Sequence, residues 1–150
     1  MFVYRITRER WARDLSGFGA EKYPGRWNLP DFRMLYTAGS ESLATLEVLA
    51  HFDDEEAPSD QLVVVLEFPD SLIEVLDPLP EGWDITPAGL ASKHAGTTFL
   101  KEQQNLVLKV PSAIIKSEFN YLINPLHAEM GKVSIYKTYP KFWDERIIKK

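Results

Sequence analysis

The chain has 150 residues, of which 45% are hydrophobic and 26% are charged, and this composition excludes disordered and fibrous proteins. Its formal net charge of −5 argues against a general nucleic-acid binder, because phosphate binding needs a concentrated basic surface. It contains no cysteine, which excludes disulfides, thiolate metal sites and cysteine nucleophiles and suits a reducing compartment.

The N-terminal segment MFVYRITRERW has no long apolar stretch behind its first charges, and no apolar run approaches the length that spans a bilayer. We therefore expect neither a secretion signal nor a membrane span, and a cytoplasmic location. Basic residues are scattered, apart from a loose N-terminal group and the Lys149–Lys150 tail, so a bound anion is expected in a local pocket. The acidic run from Asp53 to Glu56 is interpreted as a solvated loop.

The first part of the chain predicts a strand, a short helix and a long loop. Apolar and polar residues alternate from Phe2 to Thr7, which is typical of a strand with one buried face. Thr7 is then placed to cap a short helix that ends near Leu15. The glycines of SGFGA break that helix and begin a loop that reaches residue 28. A second short strand is expected from Arg33 to Ala38.

The next helix carries an acid where an apolar residue would be expected. Ser40 is a suitable N-cap, and it predicts a helix over residues 41–51. Because an isolated carboxylate in an apolar setting is very costly, Glu47 must find a partner or border a wet pocket. An ion pair with Arg26 or Arg33 is the simpler explanation. The predicted stripe that faces a core or a cleft consists of Leu43, Leu46, Glu47 and Ala50.

The second half of the chain continues to mix strands with helices. Residues 61–68 form a continuous apolar run, which predicts a strand buried on both faces. Thr86 and Pro87 resemble an N-cap and a first helical position, so we expect one or two short helices over residues 87–104, interrupted near Gly96. The remaining segments are predicted as a strand at Asn105–Val110 ended by Pro111, an extended path at Ala113–Ile115, a last strand at Val133–Tyr139 and a terminal helical turn in KFWDERII.

Strands and helices mix without regular alternation, and the chain shows no repeat and no linker. This organisation predicts one compact α+β domain over residues 1–150.

Several familiar chemistries are poorly supported. His51, His94 and His127 lie far apart and match no ligand spacing, so no metal site is expected. Ser112 lies in VPSAI rather than in a GxSxG elbow, which disfavours a serine hydrolase. The segment SGFGAEKYPG does not have the spacing of a phosphate-binding loop.

What remains is a set of polar residues at the boundaries of predicted elements. Such residues can converge on a cleft when the framework is rigid. Each also has a structural alternative, as a core residue or as a turn former. The set is Arg26, Tyr36, Glu47, Ser112, Asn120 and Asn124.

Six blocks, spread in order along nearly the whole chain, resemble the family of RES domains, the toxins of RES-Xre type toxin-antitoxin systems. They are GFGA (17–20), PGRWN (24–28), LYTAGSESLATLEVL (35–49), LVLKVPSAI (106–114), NYLINPLH (120–127) and FWDERI (142–147). Arg26, Glu47 and Ser112 take the arginine, glutamate and serine positions that name the domain. Tyr36 takes the tyrosine position that accompanies them.

The resemblance implies an α+β domain with a mixed, largely antiparallel sheet, similar to the ADP-ribosyltransferase-like fold. It implies a toxin that depletes NAD by cleaving the nicotinamide–ribose bond, through hydrolysis or phosphorolysis. NAD would be the substrate, with no prosthetic group. An Xre-type antitoxin would be the partner, in an oligomer with the toxin, with no direct contact to nucleic acid or membrane.

The residue types suit this chemistry. Positive charge builds on the ribose as nicotinamide leaves, and a fixed Glu47 carboxylate would stabilise it. Arg26 would hold the diphosphate through its bidentate fork. Tyr36 would offer an aromatic face or a hydroxyl near the nicotinamide, and Ser112 a hydrogen bond that orients ribose or nicotinamide.

Three further residues, Trp27, Asn28 and Asn120, are predicted to bind substrate, although Asn120 and Asn124 are more readily explained as residues that shape a turn beside the pocket. Two alternatives to NAD depletion stay open. One is a protein mono-ADP-ribosyltransferase that uses NAD. The other is a non-catalytic interaction module in which Glu47 and Arg26 are paired inside the core.

Overall fold

The computed structural model describes residues 1–52 and 58–148. The acidic run at Asp53–Glu56 and the Lys149–Lys150 tail therefore lie outside the described residues. The strands are β1 (Phe2–Arg8), β2 (Leu35–Ala38), β3 (Gln61–Glu67), β4 (Ile73–Val75), β5 (Val107–Pro111), β6 (Phe119–Ile123) and β7 (Ser134–Pro140). The α-helices are α1 (Phe18–Lys22), α2 (Glu41–Leu49), α3 (Leu90–Glu102) and α4 (Glu145–Ile148).

The strands form one seven-stranded sheet in the order β4-β5-β6-β2-β1-β3-β7. The β4–β5 pair is parallel and the other neighbouring pairs are antiparallel. The predicted α+β class with a mixed, largely antiparallel sheet is therefore confirmed.

The register of β2 and β6 decides which side chains share a face of the sheet. Tyr36 pairs with Leu122, and Ala38 pairs with Asn120. Because directly opposed residues point to the same side and alternate along each strand, these four side chains lie on one face. This face also receives α2 and α3.

Two groups of buried residues cover that face. The first joins α2 to the sheet and consists of Ala38, Leu43 and Ala44. The second joins α3 and the loop before β2 to the sheet, and consists of Trp27, Met34, Phe99, Leu100, Leu108, Val110 and Leu122. Tyr36 packs against this second group. A separate core on the opposite face includes Val3, Leu35, Val64, Leu66, Phe68, Tyr121 and Ile123. The face of the sheet that carries Tyr36 and Asn120 is thus packed against α2 by the first group and against α3 by the second.

Helix α3 runs unbroken through Gly96, so the predicted interruption there is wrong. A Cβ atom at Gly96 would lie 1.8 Å from the carbonyl oxygen of Trp27. The glycine therefore lets the preceding loop approach the helix closely. Thr97 adds a hydrogen bond, because its Oγ1 accepts from the Leu29 amide at 3.0 Å.

Two predicted helix starts are also wrong. Thr7 lies inside β1, where it pairs with Leu62, and the chain enters a short 3₁₀ helix only at Glu9–Trp11. Helix α3 begins at Leu90 after Gly89, three residues beyond Pro87. In the first case strand pairing, which a local pattern does not reveal, decides where the element ends.

Two predicted irregular segments also differ from the structure. Helix α1 begins at Phe18, inside the segment that was expected to be a loop, after Gly17 at a φ of +69°. Residues 113–115 bend into a turn and do not continue the extended path. The turn forms because Ser112 Oγ accepts from the amides of Ile114 and Ile115, at 3.0 and 3.2 Å.

Other predictions are confirmed. Ser40 caps α2, since its Oγ accepts from the Leu43 amide at 3.1 Å, although the helix ends at Leu49. The apolar run of residues 61–68 forms β3, the last predicted strand forms β7, and the terminal turn forms α4. Among the described helices, none combines the length and apolarity that crossing a bilayer requires.

Candidate active site

Glu47 is held by two neutral side chains from the far half of the sequence. Its Oε1 accepts from Ser112 Oγ at 2.9 Å and from Asn120 Nδ2 at 2.7 Å. Within residues 1–52 and 58–148 it forms no ion pair, because Arg33 binds Glu21 at 2.8 Å and Arg26 lies on another loop. The expected ion pair with Arg26 or Arg33 is therefore wrong, and the hydrogen bonds to Glu47 within these residues come from neutral donors.

The apolar stripe predicted around Glu47 is only partly buried. Leu43 is fully buried, but Leu46 is 39% exposed and Ala50 is exposed. Helix α2 is therefore rotated so that Leu43 and Ala44 face the sheet. This rotation leaves Glu47 half-buried at the border between core and solvent, where a ligand can reach a carboxylate.

Helix α2 is also fixed from the side of β7. Tyr139 donates its hydroxyl proton to Glu41 Oε2 at 2.7 Å. The ammonium of Lys141 donates to Thr45 Oγ1 at 2.8 Å and to Glu41 Oε1 at 3.3 Å. Burial and the hydrogen bond to Glu41 raise the pKa of Tyr139 to about 12, so its hydroxyl stays protonated and keeps this bond. The helix that carries Glu47 is thus tied to the sheet edge through its first two turns.

Ser112 is completely buried and donates a hydrogen bond to Glu47. Its oxygen accepts two amides of the following turn, which leaves its single proton directed at the carboxylate. In this arrangement Ser112 orients Glu47, and it has no second proton to offer to a substrate. Its predicted contact with ribose or nicotinamide stays a prediction.

Asn120 contributes a donor and an unused acceptor to the same place. Its Nδ2 binds Glu47, while its Oδ1 is buried and finds no hydrogen-bond partner among the described residues. Buried acceptors without a donor are uncommon, because leaving them unpaired costs free energy. The amide oxygen therefore marks a position where a donor from a bound molecule would be stabilised.

Tyr36 and Asn28 organise the loop before β2. The Tyr36 hydroxyl donates to Asn28 Oδ1 at 2.6 Å and accepts from the Trp27 amide at 3.0 Å. Asn28 is fully buried, and its Nδ2 donates to the carbonyls of Ala20 and Phe32 at 2.8 and 3.1 Å. Asn28 thus shapes the loop, and its predicted contact with substrate stays a prediction.

Burial raises the pKa of the Tyr36 hydroxyl well above its usual range, so this group remains protonated near neutral pH. A Cβ atom at Gly25 would lie 2.7 Å from the ring Cζ of Tyr36, so the loop backbone packs directly on the ring. With both its proton and its lone pair engaged, Tyr36 offers its half-buried aromatic ring, rather than its hydroxyl, to a ligand.

Arg26 is anchored by one nitrogen. Its Nη1 donates to the carbonyls of Trp83 and Ile85, at 3.0 and 2.7 Å. Its Nε and Nη2 donate to no residue in the described part of the chain and can receive an anion. Trp27 fixes the same loop, because it is buried and stacks on Trp83 with ring centroids 6.0 Å apart. The residues of the Trp83–Ile85 loop were not singled out from the sequence, in which only a turn signal marks them.

The remaining predicted polar residues lie outside this cluster. Asn124 is buried, donates to the Leu100 carbonyl at 3.2 Å and accepts from the Leu126 amide at 3.1 Å, so it shapes its turn as expected. His127 Nδ1 accepts from the Glu129 amide.

Over the described residues, no three His, Asp or Glu side chains converge to hold a metal ion. Two surface cavities of about 270 and 350 Å³ are lined by other residues, and the site is defined by its side-chain cluster.

Comparison with known families identifies the domain. A family model described as the RES domain matches residues 2–144. The chain belongs to the RES domain family. The family expected from the six sequence blocks is thereby confirmed.

Curated relatives match this chain over most of their length. Prs ADP-ribosylating toxin of Sphingobium sp. (strain YBL2) is 38% identical over 144 residues, covering 93% of this chain and 89% of that protein. Toxin Res of Yersinia enterocolitica is 39% identical over 130 residues, covering 85% of this chain and 86% of that protein. Toxin Res of Photorhabdus laumondii is 33% identical over 153 residues, covering 99% of this chain and 98% of that protein.

One solved structure has the same fold. A chain in the crystal structure of the M. tuberculosis MbcT–MbcA toxin–antitoxin complex matches with a TM-score of 0.72 at 20% identity, covering 93% of this chain and 83% of that chain. At this identity the likeness shows the fold alone. It confirms the α+β class that was expected to resemble the ADP-ribosyltransferase-like fold.

Proposed function

We propose that this RES domain is the toxin of a toxin–antitoxin system and that it cleaves the bond between nicotinamide and ribose in NAD. The observation that carries the proposal is the carboxylate of Glu47, which forms no ion pair among the described residues and is fixed through one oxygen by Ser112 and Asn120. The names of its relatives, Toxin Res and Prs ADP-ribosylating toxin, support the same class of activity.

The chemistry requires a fixed negative charge beside the sugar. Nicotinamide leaves NAD as a neutral base, and the ribose becomes positively charged and oxocarbenium-like in the transition state. A carboxylate that is already oriented gains attraction as this charge develops, without reorganisation at the moment of reaction. Glu47 Oε1 is held by two donors, while Oε2 accepts from no described residue and can face a ribose hydroxyl.

Asn120 would complete the contact with the sugar or the leaving group. Its buried Oδ1 needs a donor, and both a ribose hydroxyl and the carboxamide of nicotinamide carry one. A bound NAD would therefore satisfy an acceptor that the free protein leaves unpaired. Such a site binds an analogue without the donor less well, because the acceptor then stays buried and unpaired.

Arg26 and Tyr36 would bind the two ends of the same half of NAD. The free Nε and Nη2 of Arg26 form the edge of a guanidinium that suits a diphosphate oxygen pair, and its Nη1 is already fixed on two carbonyls. Such preorganisation lowers the entropy cost of binding. The ring of Tyr36 would pack on nicotinamide, while its hydroxyl keeps the loop in shape.

A second function shares the same first step. In a protein mono-ADP-ribosyltransferase the ribosyl cation is captured by a protein side chain, and in NAD depletion it is captured by water or phosphate. The name of the 38% identical relative, Prs ADP-ribosylating toxin, favours keeping this alternative. The non-catalytic module loses its main support, because Glu47 and Arg26 are not paired with each other in the described structure.

A toxin needs a partner that silences it, and we propose an Xre-type antitoxin that forms an oligomer with this chain. The fold match to a toxin solved together with its antitoxin supports such an assembly.

The test measures nicotinamide released from NAD by the purified protein, with and without phosphate. Release in buffer alone would identify hydrolysis, and release that depends on phosphate would identify phosphorolysis. Labelling of a protein target by biotinylated NAD would instead identify ADP-ribosyl transfer. If folded protein, free of antitoxin, gives neither nicotinamide nor label, the proposal is wrong.

A further inference from the structure

Asp84 pairs with one cation, Lys116, and lies in the loop that anchors a second cation, Arg26. Its carboxylate Oδ2 accepts from Lys116 Nζ at 2.5 Å. Its neighbours in the chain, Trp83 and Ile85, supply the two carbonyls that hold Nη1 of Arg26. The hydrogen bond from Lys116 is the main reason why the pKa of Asp84 is lowered, and the nearby charge of Arg26 lowers it further. The Asp84 carboxylate thus pairs with the ammonium of Lys116 and lies between the two backbone carbonyls that hold the guanidinium of Arg26.

The ion pair also joins two segments that serve different parts of the site. Asp84 belongs to the loop that anchors Arg26, while Lys116 belongs to the turn that follows Ser112. That turn is tied to Glu47, because Ser112 Oγ binds the carboxylate and Ser112 N donates to the Glu118 carbonyl at 2.9 Å. The bridge between Asp84 and Lys116 therefore connects the Arg26 side of the cleft to the Glu47 side.

We propose that Asp84 is an internal anion that pairs with Lys116 beside Arg26 in the free protein, and that the diphosphate of the substrate displaces it from Lys116 and binds both cations. Lys116 is then a second cationic residue of the diphosphate subsite. This inference rests on the proposed function, since it assigns the anion as part of NAD.

Charge and exposure both favour the exchange. A diphosphate carries two negative charges and several acceptor oxygens, whereas Asp84 carries one charge. The side chain of Lys116 is 65% exposed and that of Asp84 is 31% exposed, so their bridge is a weak surface pair that a stronger anion can replace. A ligand without phosphate cannot displace Asp84 in this way. The pair would therefore select ligands by their phosphates.

Binding of ADP-ribose tests the inference without any chemical step, because this ligand keeps the diphosphate and lacks nicotinamide. Isothermal titration compares the wild type with Asp84→Asn and Lys116→Gln. Asp84→Asn should bind ADP-ribose about threefold to tenfold more tightly, and Lys116→Gln should bind it more weakly by a similar factor. Both changes should shrink at high salt, which screens exposed charges.

A second exposed ion pair provides a matched control. Lys132 binds Glu129 at 2.6 Å with similar exposure, next to Met130, which packs on the opposite face of the sheet. Glu129→Gln should leave ADP-ribose affinity unchanged, and melting curves should show that all variants are folded.

Unchanged or weaker binding by Asp84→Asn would overturn the inference. Tighter binding by Lys116→Gln would also overturn the inference, because the ion pair would then only hold the two sides of the cleft together and Lys116 would not bind the diphosphate. The proposed function fails separately: if ADP-ribose affinities follow the expected order but NAD yields no nicotinamide, the subsite stands and NAD cleavage does not. If nicotinamide is released but neither Asp84→Asn nor Lys116→Gln changes the affinity for ADP-ribose, NAD cleavage stands and the proposed subsite does not.

Discussion

Replacing Ser112 by alanine separates an orienting role from a purely structural one. The change removes the hydrogen bond of 2.9 Å to Glu47 and leaves Asn120 as the single donor to Oε1. A hydrogen bond to a charged group contributes about 1.5–3 kcal/mol. If this bond orients the carboxylate for the transition state, kcat for nicotinamide release should fall roughly 10- to 100-fold, with a smaller change in KM.

The same substitution should also lower stability. Ser112 Oγ accepts from the amides of Ile114 and Ile115, and alanine leaves both without that acceptor. Ile114 is 40% exposed, so water can replace part of the loss. We expect a cost of about 1–2 kcal/mol, which corresponds to a decrease in Tm of roughly 2–8 °C for a domain of this size.

The assay combines steady-state nicotinamide release with thermal unfolding, at a temperature where the variant is fully folded. Asn120→Ala serves as the companion variant, because it removes the other donor to Glu47 and leaves the Ser112 turn intact. It should lower kcat by a comparable factor with a smaller change in Tm. A Ser112→Ala protein with a lower Tm but normal kcat would refute the orienting role of this hydroxyl.

Three further predictions concern the framework of the site. Arg26→Ala should mainly raise KM for NAD, and Arg26→Lys should restore only part of the affinity because lysine lacks the bidentate fork; an unchanged KM would count against the diphosphate assignment. Gly96→Ala should destabilise the protein by several kcal/mol in urea unfolding, because the added Cβ atom would lie 1.8 Å from the Trp27 carbonyl oxygen. A Gly96→Ala variant as stable as the wild type would show that this close approach does not exist. Burial raises the pKa of both Tyr36 and Tyr139, the latter to about 12. The two hydroxyls should therefore contribute fully to the unfolding free energy below about pH 10, and this contribution should be lost as the pH rises through their pKa values in the folded protein. An unfolding free energy that does not fall between pH 10 and pH 12 would contradict this.

Local chemistry explains which parts of the fold were predictable from the sequence. The Ser40 cap, the apolar run of β3 and the strand that became β7 are all set by residues next to one another. Gly96 was misread as a helix breaker, because its reason for being glycine is the backbone of Trp27, which lies far away in sequence. Thr7 was misread as a cap for the same kind of reason, since its pairing with Leu62 keeps it in β1.

The candidate site shows the same division. Glu47 was identified as unusual from its helical stripe, but its partners were not predictable from local pattern, because Ser112 lies 65 residues away and Asn120 lies 73 residues away. The expected salt bridge was a reasonable local solution, yet the structure uses two neutral donors. Asp84 and Lys116 carry no sequence signal beyond their charges, and only the fold brings them together near Arg26.

The role of the Glu47 carboxylate is tested most directly by comparing nicotinamide release by the wild type and by Glu47→Gln in a single turnover. Glutamine keeps an oxygen that accepts from Ser112 and Asn120, so the fold should be retained while the negative charge is lost. The matched control is Glu102→Gln, at an exposed position near the end of α3. We expect a rate about 100- to 1,000-fold lower for Glu47→Gln and an unchanged rate for the control. A Glu47→Gln protein that releases nicotinamide at the wild-type rate would contradict it.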